Sequence, residues 1–506
     1  MFNVSSNLAL RDVWEHMVIS RADADFLVFV DVDESASQTY TYAEFDKLVN
    51  QTANMLIELG VKQGDKAAVY LPNSVEHVEC ILALLKIGAV YVPLNSRYTN
   101  REMCGIIADS KAKILITSEF LETECCAGYH LTQLLVDDKC SLGYNQRRCL
   151  YPSTPPNSIK LQGSDIAEII YTSGTNSYPK GVLMTNANLI FSGWYVNWQL
   201  AMTEEDRYFS SMPISHVNLQ LSALFPTITC GCTFLLTSRY SAKRFWCHVR
   251  KYEATLVQSM SMIAKTMMCQ PVDAEEKNHR VRLVHYFLPI SDNEKVQFEE
   301  RFNVKLLNNY GSTETLVGVI TDSPYGLARW PSIGLAGFGY DARIMREGKE
   351  CSVGEIGEIQ IRGIPGISLM AGYYGMPEET SKVLDEEGWY STRDLGYQDN
   401  DGFFYFAGRD ADFIKRSGEN VSALEVEKIL SDCPGVSEVA VVRVPDEIRD
   451  EAVKAFVVAS DPTLNEATVI KYASAHLADF KVPSIVEFLD ALPKGEYGKV
   501  QKKLLR

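Results

Sequence analysis

The stretch Ile169-Ile-Tyr-Thr-Ser-Gly-Thr-Asn-Ser-Tyr-Pro-Lys-Gly-Val182 changes character in its middle. Residues 166–171 are largely apolar, as a buried strand requires, and break off into small, turn-forming residues at 172–177, ahead of Pro179, Lys180 and Gly181. Thr172, Ser173 and Thr175 offer hydroxyls, and Asn176 adds a turn-tolerant polar group. Gly174 lets backbone N–H groups approach a ligand, and Lys180 adds a compact positive charge. A strand feeding such a loop suits a polyphosphate. It is not a Walker A loop, because Lys180 is preceded by proline and followed by glycine. For any one cluster of this composition a plain surface loop is the commoner meaning, so the rest of the chain must decide.

Upstream, apolar runs at 68–71, 88–93 and 114–117 alternate with a helical pattern over 78–87, entered through the turn Pro72-Asn73-Ser74. Strands alternating with helices predict an α/β fold, a mostly parallel sheet covered on both faces. Residues 42–59 carry Phe45, Leu48, Met55 and Leu56 on one side of a helix that Gly60 ends. Residues 1–35 read as peripheral, with a short helix over 8–17 anchored by Trp14, and residues 119–163 read as a surface connection. Downstream, Phe191, Trp194, Tyr195 and Trp198 recur at helical spacing, which core packing most often explains.

A chain of 506 residues is too long for one ordinary core and implies two or more domains. A net charge of -16 argues against a general nucleic-acid or anionic-membrane binder. No apolar stretch approaches the length of a membrane span, which excludes stable membrane insertion by a helix, and no signal-peptide pattern opens the chain. The twelve cysteines are scattered without zinc-site spacing and read as buried free thiols of a cytoplasmic protein.

A second chemical signal lies at Asn308-Asn-Tyr-Gly-Ser-Thr-Glu-Thr315, after an apolar run. Tyr310 supplies a ring for an adenine face, Thr313 a hydroxyl for phosphate, and Glu314 an oxygen ligand for Mg2+. Further on, Ile359 and Ile361 alternate as on a strand of an antiparallel sheet.

Together, the loop at 169–182, the segment Tyr310-Gly-Ser-Thr-Glu314 and the strings Gly388-Trp-Tyr-Ser-Thr-Arg-Asp394 and Leu492-Pro-Lys-Gly-Glu-Tyr-Gly-Lys-Val500 resemble the adenylate-forming superfamily. That superfamily includes the acyl-CoA synthetases, luciferases and peptide-synthetase adenylation domains. The resemblance implies a large N-terminal domain, 1–408, of mixed sheets with covering helices and a β-barrel-like subdomain. A small mobile α+β lid, 409–506, would follow. It implies ATP, Mg2+ and coenzyme A, with phosphate contacts from Thr172, Ser173, Gly174, Thr175, Asn176 and Lys180. Asp394 would take the ribose hydroxyls, Arg409 the ribose and phosphate, and His216 would stand between nucleotide and acyl pocket. Ser417, Gly418 and Glu419 would line the pantetheine tunnel, and Lys499 would reach the acyl carboxylate and α-phosphate. Four features depart from the pattern: Asn176 and Ser177 in the loop, a bulky loop at 286–291, Arg393 in place of glycine before Asp394, and Ala411 at the hinge.

Strings outside these motifs, among them Arg239-Tyr-Ser-Ala-Lys-Arg-Phe-Trp246 and Phe480-Lys-Val-Pro-Ser484, resemble the bacterial crotonobetaine/carnitine-CoA ligases. This implies an ATP-dependent ligase joining a small acid, such as carnitine, crotonobetaine or γ-butyrobetaine, to coenzyme A, as a monomer or homodimer. Tyr195, Trp198 and Phe287 are the aromatic side chains expected around a quaternary ammonium group. Two other readings stand beside it: a CoA ligase for another short, medium-chain or aryl acid, and a non-catalytic nucleotide-binding relative. The last would be marked by loss of Glu314 or Lys499, and both are present.

Overall fold

In a computed structural model, the structure describes residues 7–33, 36–118, 131–136, 144–157, 159–172, 179–287, 290, 292–409, 413–493, 500 and 502–505. Two mixed sheets carry the bulk of the chain. The seven-stranded sheet has a parallel run of Ile166–Thr172, Val90–Pro93, Lys66–Tyr70, Ile114–Thr117 and Thr132–Leu135. Lys180–Thr185 and Gly372–Tyr373 extend it antiparallel past Ile166–Thr172. The strands on either side of the hydroxyl-rich stretch therefore pair antiparallel as a hairpin, with Thr172 and Lys180 opposite each other in register.

The nine-stranded sheet has a parallel interior that includes Arg207–Ser210, Leu256–Met260, Leu283–Phe287 and Leu306–Tyr310, and antiparallel strands at both ends. Helices pack between the two sheets and form one apolar core with both. Their starts are written in the sequence. Thr41 and Glu44 form a capping box at the head of Tyr42–Glu58, Ser74 caps Val75–Lys86, and Thr185 with Asn188 caps Asn186–Gln199.

Three expectations need correction. The strand Asp25–Val30 lies inside the nine-stranded sheet, and Trp14 is buried with its Nε1 donating to Asp46 at 2.7 Å, so this N-terminal part is core and not periphery. Short apolar strands next to the N-terminus carry too little periodicity to be told from loops. The connection before the hairpin contains the strand Thr132–Leu135 and the helix Tyr144–Arg148, whose Tyr144 is buried against Glu79. Among the cysteines, Cys80, Cys232 and Cys433 are buried thiols, Cys149, Cys247 and Cys269 are exposed, and Cys104 is disulfide-bonded.

The expected barrel-like part takes the form of a five-stranded antiparallel sheet, Lys349–Glu350, Asp341–Arg346, Gly357–Arg362, Trp389–Gln398 and Phe404–Arg409, with Ile359 and Ile361 turned inward. From Phe413 the chain enters another sheet, which has its own apolar core with the helices Ala423–Ser431 and Glu466–His476. That core also packs against Tyr98, which follows Val90–Pro93. Beside Tyr98, Lys481 is 4% exposed and paired with Glu102 at 3.0 Å and Glu425 at 2.9 Å. Among the described residues no helix is long and apolar enough to cross a membrane.

Candidate active site

A cleft of about 440 Å³ opens where the carboxyl ends of strands from both large sheets meet the five-stranded and C-terminal sheets. Ligands of open α/β sheets gather at such strand ends, because the loops there are free to carry chemistry. Thr172 ends one of these strands, Met260, Phe287 and Tyr310 end three others, and all line the cleft.

Beyond Tyr310 the chain turns at Gly311, where a Cβ would lie 2.0 Å from the Val317 carbonyl oxygen, so only glycine fits. The Ser312 N–H donates to Thr315 Oγ1 at 2.8 Å, closing a turn that holds Thr313 and Glu314 in the cleft wall. Glu314 Oε1 accepts from the Tyr373 hydroxyl at 2.9 Å. Burial and the neighbouring Glu314 carboxylate push the Tyr373 hydroxyl far above its usual range, so it stays a donor. Tyr310 in turn donates to Asp394 Oδ2 at 2.7 Å, which ties the end of Leu306–Tyr310 to the middle of Trp389–Gln398. Asp394 is opposite Arg409 in register.

Lys180 lies 4.8 Å above the Tyr373 ring and pairs with Glu379 at 2.8 Å. Lys382 pairs with the same carboxylate. These two ammonium groups hold Glu379 at about 2. His216 lines the cleft and caps the short helix Val217–Leu219, its Nδ1 accepting the Asn218 N–H at 3.2 Å.

The structure thus brings Thr172, Lys180, His216, Tyr310, Thr313, Glu314, Asp394 and Gly418 to one cavity. Gly418, at φ +83, sits against Met260. Ser417 is held by its N–H to the Arg449 carbonyl, outside the cleft lining, and Glu419 is turned to Asn95 and Arg97 at 3.2 and 3.1 Å. Ser173, Gly174, Thr175, Asn176 and Lys499 lie outside the described residues, as does the side chain of Arg409.

Of the three aromatic side chains expected around a cationic tail, only Phe287 lines the cleft. Tyr195 is buried in the core and its hydroxyl donates to the Gly318 carbonyl at 2.8 Å, bracing the wall from behind. Trp198 is 43% exposed and packs on Tyr195 and Phe338. Helical spacing put these rings on related faces but could not say which face met the cavity. Conversely, Tyr373 and Arg393 line the cleft without having been singled out as ligands. The departure from glycine at 393 was the available signal for one of them.

Among the described residues no group of three metal-ligating side chains occurs. The donor set fits Mg2+ all the same. That ion commonly takes one or two carboxylates and completes its shell with phosphate oxygens and water, and Glu314 beside the Thr313 hydroxyl supplies the protein's share.

The model of the AMP-binding enzyme family matches residues 15–374, and that of the AMP-binding enzyme C-terminal domain matches residues 425–499. The chain is 41% identical over 511 aligned positions, 98% of each chain, to a crotonobetaine/carnitine–CoA ligase of Proteus mirabilis. Among solved structures it resembles o-succinylbenzoate CoA synthetase of Bacillus subtilis. For a double mutant bound with a product analogue the TM-score is 0.86, at 26% identity and 97% of each chain. For the complex with the acyl-adenylate intermediate it is 0.70, at 26% identity, covering 98% and 97%.

The chain belongs to the AMP-binding enzyme family, within the adenylate-forming superfamily. It is an ATP-dependent acid–thiol ligase of the acyl-CoA synthetase class, using ATP and coenzyme A, with Mg2+ as the usual metal of that family.

Proposed function

We propose that the acid is a small betaine such as carnitine, crotonobetaine or γ-butyrobetaine, activated as an acyl-adenylate and passed to coenzyme A. The observation that carries the catalytic assignment is the convergence of Thr172, Lys180, Thr313, Glu314 and Asp394 on one cavity. The names of the relatives and the presence of Phe287 on the cleft lining support the betaine.

In the first half-reaction a carboxylate oxygen of the acid bonds to the α-phosphorus of ATP, and the bond from that phosphorus to pyrophosphate breaks. The barrier is mainly one of charge, so the site needs donors and cations more than a base. Thr172 and the loop it opens hold phosphate oxygens, Thr313 donates to phosphate, Asp394 takes the ribose, and Glu314 holds the cation. Mg2+, when bound, would shield the phosphate charge. Lys499 would neutralise the attacking carboxylate. In the second half-reaction the coenzyme A sulfur bonds to the acyl carbon and AMP leaves.

We take residues 1–408 and 409–506 as the two domains. Gly418 and Lys415 at the cleft, and the higher likeness to the product-analogue complex than to the acyl-adenylate complex, support reading this orientation as the thioester-forming one. His216 would separate nucleotide from acid. We place the enzyme in the cytoplasm, as monomer or homodimer. Incubation with ATP, Mg2+ and carnitine should release pyrophosphate, and coenzyme A should convert the adenylate to AMP and a thioester. Activity on aryl or fatty acids with none on any betaine would remove the betaine assignment.

A further inference from the structure

We propose that Asn218 and Ser222 form a neutral hydrogen-bonding pair that reads a hydroxyl on the carbon chain of the acid, and so select a hydroxy acid over the same acid without that group. The inference rests on reading the cleft as the place where acid and ATP meet.

The orientation of the Asn218 amide follows from a short chain of bonds. Gln258, fully buried in Leu256–Met260, donates from Nε2 to the Asn218 main-chain carbonyl at 2.8 Å, and a carbonyl oxygen can only accept. Its Oε1 accordingly faces Ser210, whose hydroxyl donates to it at 2.6 Å. The same Nε2 donates to Asn218 Oδ1 at 3.0 Å. The side-chain oxygen of Asn218 is thus engaged, and Nδ2, with both its N–H groups, is turned away from Gln258. The Asn218 main-chain N–H is taken up by His216 Nδ1, which holds the residue in place. Asn218 lines the cleft, and Nδ2 has no partner among the described residues.

Ser222 stands four positions further on, in the π-helical turn Gln220–Leu224, and lines the same cleft. Such wide turns are rare and gather at functional sites. Ser222 is 2% exposed, and its hydroxyl likewise has no partner among the described residues. A hydroxyl drawn out of water with nothing to bond is costly, so its place on a cavity wall points to a ligand that completes it.

The surroundings favour an oxygen on the acid over a nucleotide group. Gln258 shares its strand with Met260, Met260 is opposite Phe287 in the next strand, and Val217, Met260, Phe287 and Ile290 all line the cleft. The groups assigned to the nucleotide are tied to one another instead, Tyr310 to Asp394, and Glu314 and Lys180 to Tyr373. Neither Asn218 nor Ser222 carries the charge that a carboxylate calls for. A hydroxyl satisfies both, its oxygen accepting from Asn218 Nδ2 and its proton going to Ser222 Oγ. Of the three betaines, carnitine alone carries such a group. A site built to bond a substrate hydroxyl rejects the analogue lacking it, because its own polar groups are then left unpaired.

The test compares kcat/KM for carnitine with that for γ-butyrobetaine, its counterpart without the hydroxyl, by pyrophosphate release from the full-length enzyme, with KM for ATP alongside. The parent should prefer carnitine by about tenfold or more. Ser222→Ala should keep its Tm, since no bond within the protein is lost, and should lower that preference about fivefold to tenfold. Asn218→Ala should lower it by a similar factor; if that variant fails to fold, Ser222→Ala alone decides. The loss should fall on carnitine, with γ-butyrobetaine and KM for ATP within about twofold. Equal losses on both acids overturn the proposal and assign the pair to the carboxylate. A defect confined to ATP overturns it in favour of the nucleotide, and a parent that does not distinguish the two acids overturns it as well. If no betaine is turned over, the betaine assignment falls, and 3-hydroxybutyrate against butyrate puts the same question to the pair. A preference for the hydroxy acid that Ser222→Ala erases then upholds it; any other result, absence of turnover included, overturns it.

Discussion

The phenol of Tyr373 donates to Oε1 of Glu314 at 2.9 Å, joining two side chains 59 positions apart. The bond fixes one carboxylate oxygen and so orients the other. A hydrogen bond to a charged group contributes about 1.5–3 kcal/mol. Tyr373→Phe is therefore expected to raise KM for MgATP about tenfold with little change in Tm. Glu314→Gln should cost at least about a hundredfold in adenylation. Both are read by pyrophosphate release, and chelation of Mg2+ with EDTA should abolish the signal in every variant.

Phe287 and Trp198 divide the question of the cationic tail. Phe287→Ala should raise KM for carnitine about threefold to tenfold, the loss of one cation–π contact, without moving KM for ATP. Trp198→Ala should leave both unchanged, because the ring faces solvent and not the cleft. Equal effects at the two positions would mean that the acid binds elsewhere.

Glu168 predicts a pH dependence of stability. The side chain is buried in the strand Ile166–Thr172. Burial pushes its carboxyl up to about 8, and neighbouring Gln220 offsets only part of this. The folded enzyme then keeps a proton that the unfolded chain releases near the ordinary carboxyl value of 4.5. Stability from this group is full below about 4.5 and falls as pH rises through about 8. Glu168→Gln should match the parent near pH 5 and exceed its Tm by a few degrees near pH 8.5, as thermal unfolding across pH would show.

Glu102 ties the C-terminal sheet to the larger part of the chain. Its Oε2 accepts from the Thr99 N–H at 2.9 Å and its Oε1 from the Lys481 ammonium at 3.0 Å. Glu102→Gln keeps the shape and weakens the ion pair. If the pair contributes about 1.4 kcal/mol to docking, the ratio of docked to undocked forms falls about tenfold. Thioester formation should then slow while pyrophosphate release persists, and rapid-quench assays of the two half-reactions would separate them.

The motifs were legible because each local task restricts residue type. The hydroxyl-rich turn, the acidic tip at Glu314 and the helix caps at Thr41, Ser74 and Thr185 depend on neighbours a few positions away. The alternation of apolar runs likewise announced parallel strands. The strand Asp25–Val30 escaped notice because its partners, Ser37–Thr41 and Thr233–Thr237, include one some two hundred positions along the chain.

Residue order therefore settled the α/β class, the family and the chemical identity of the groups, since these follow from short-range composition and spacing. Which ring meets the cavity and what restrains Lys180 and Glu314 were decided only in three dimensions. Tyr195 and Trp198 lie three positions apart and look alike in sequence, yet one braces the wall and the other faces water. Periodicity specifies a face, whereas a contact depends on the partner that packing brings to that face.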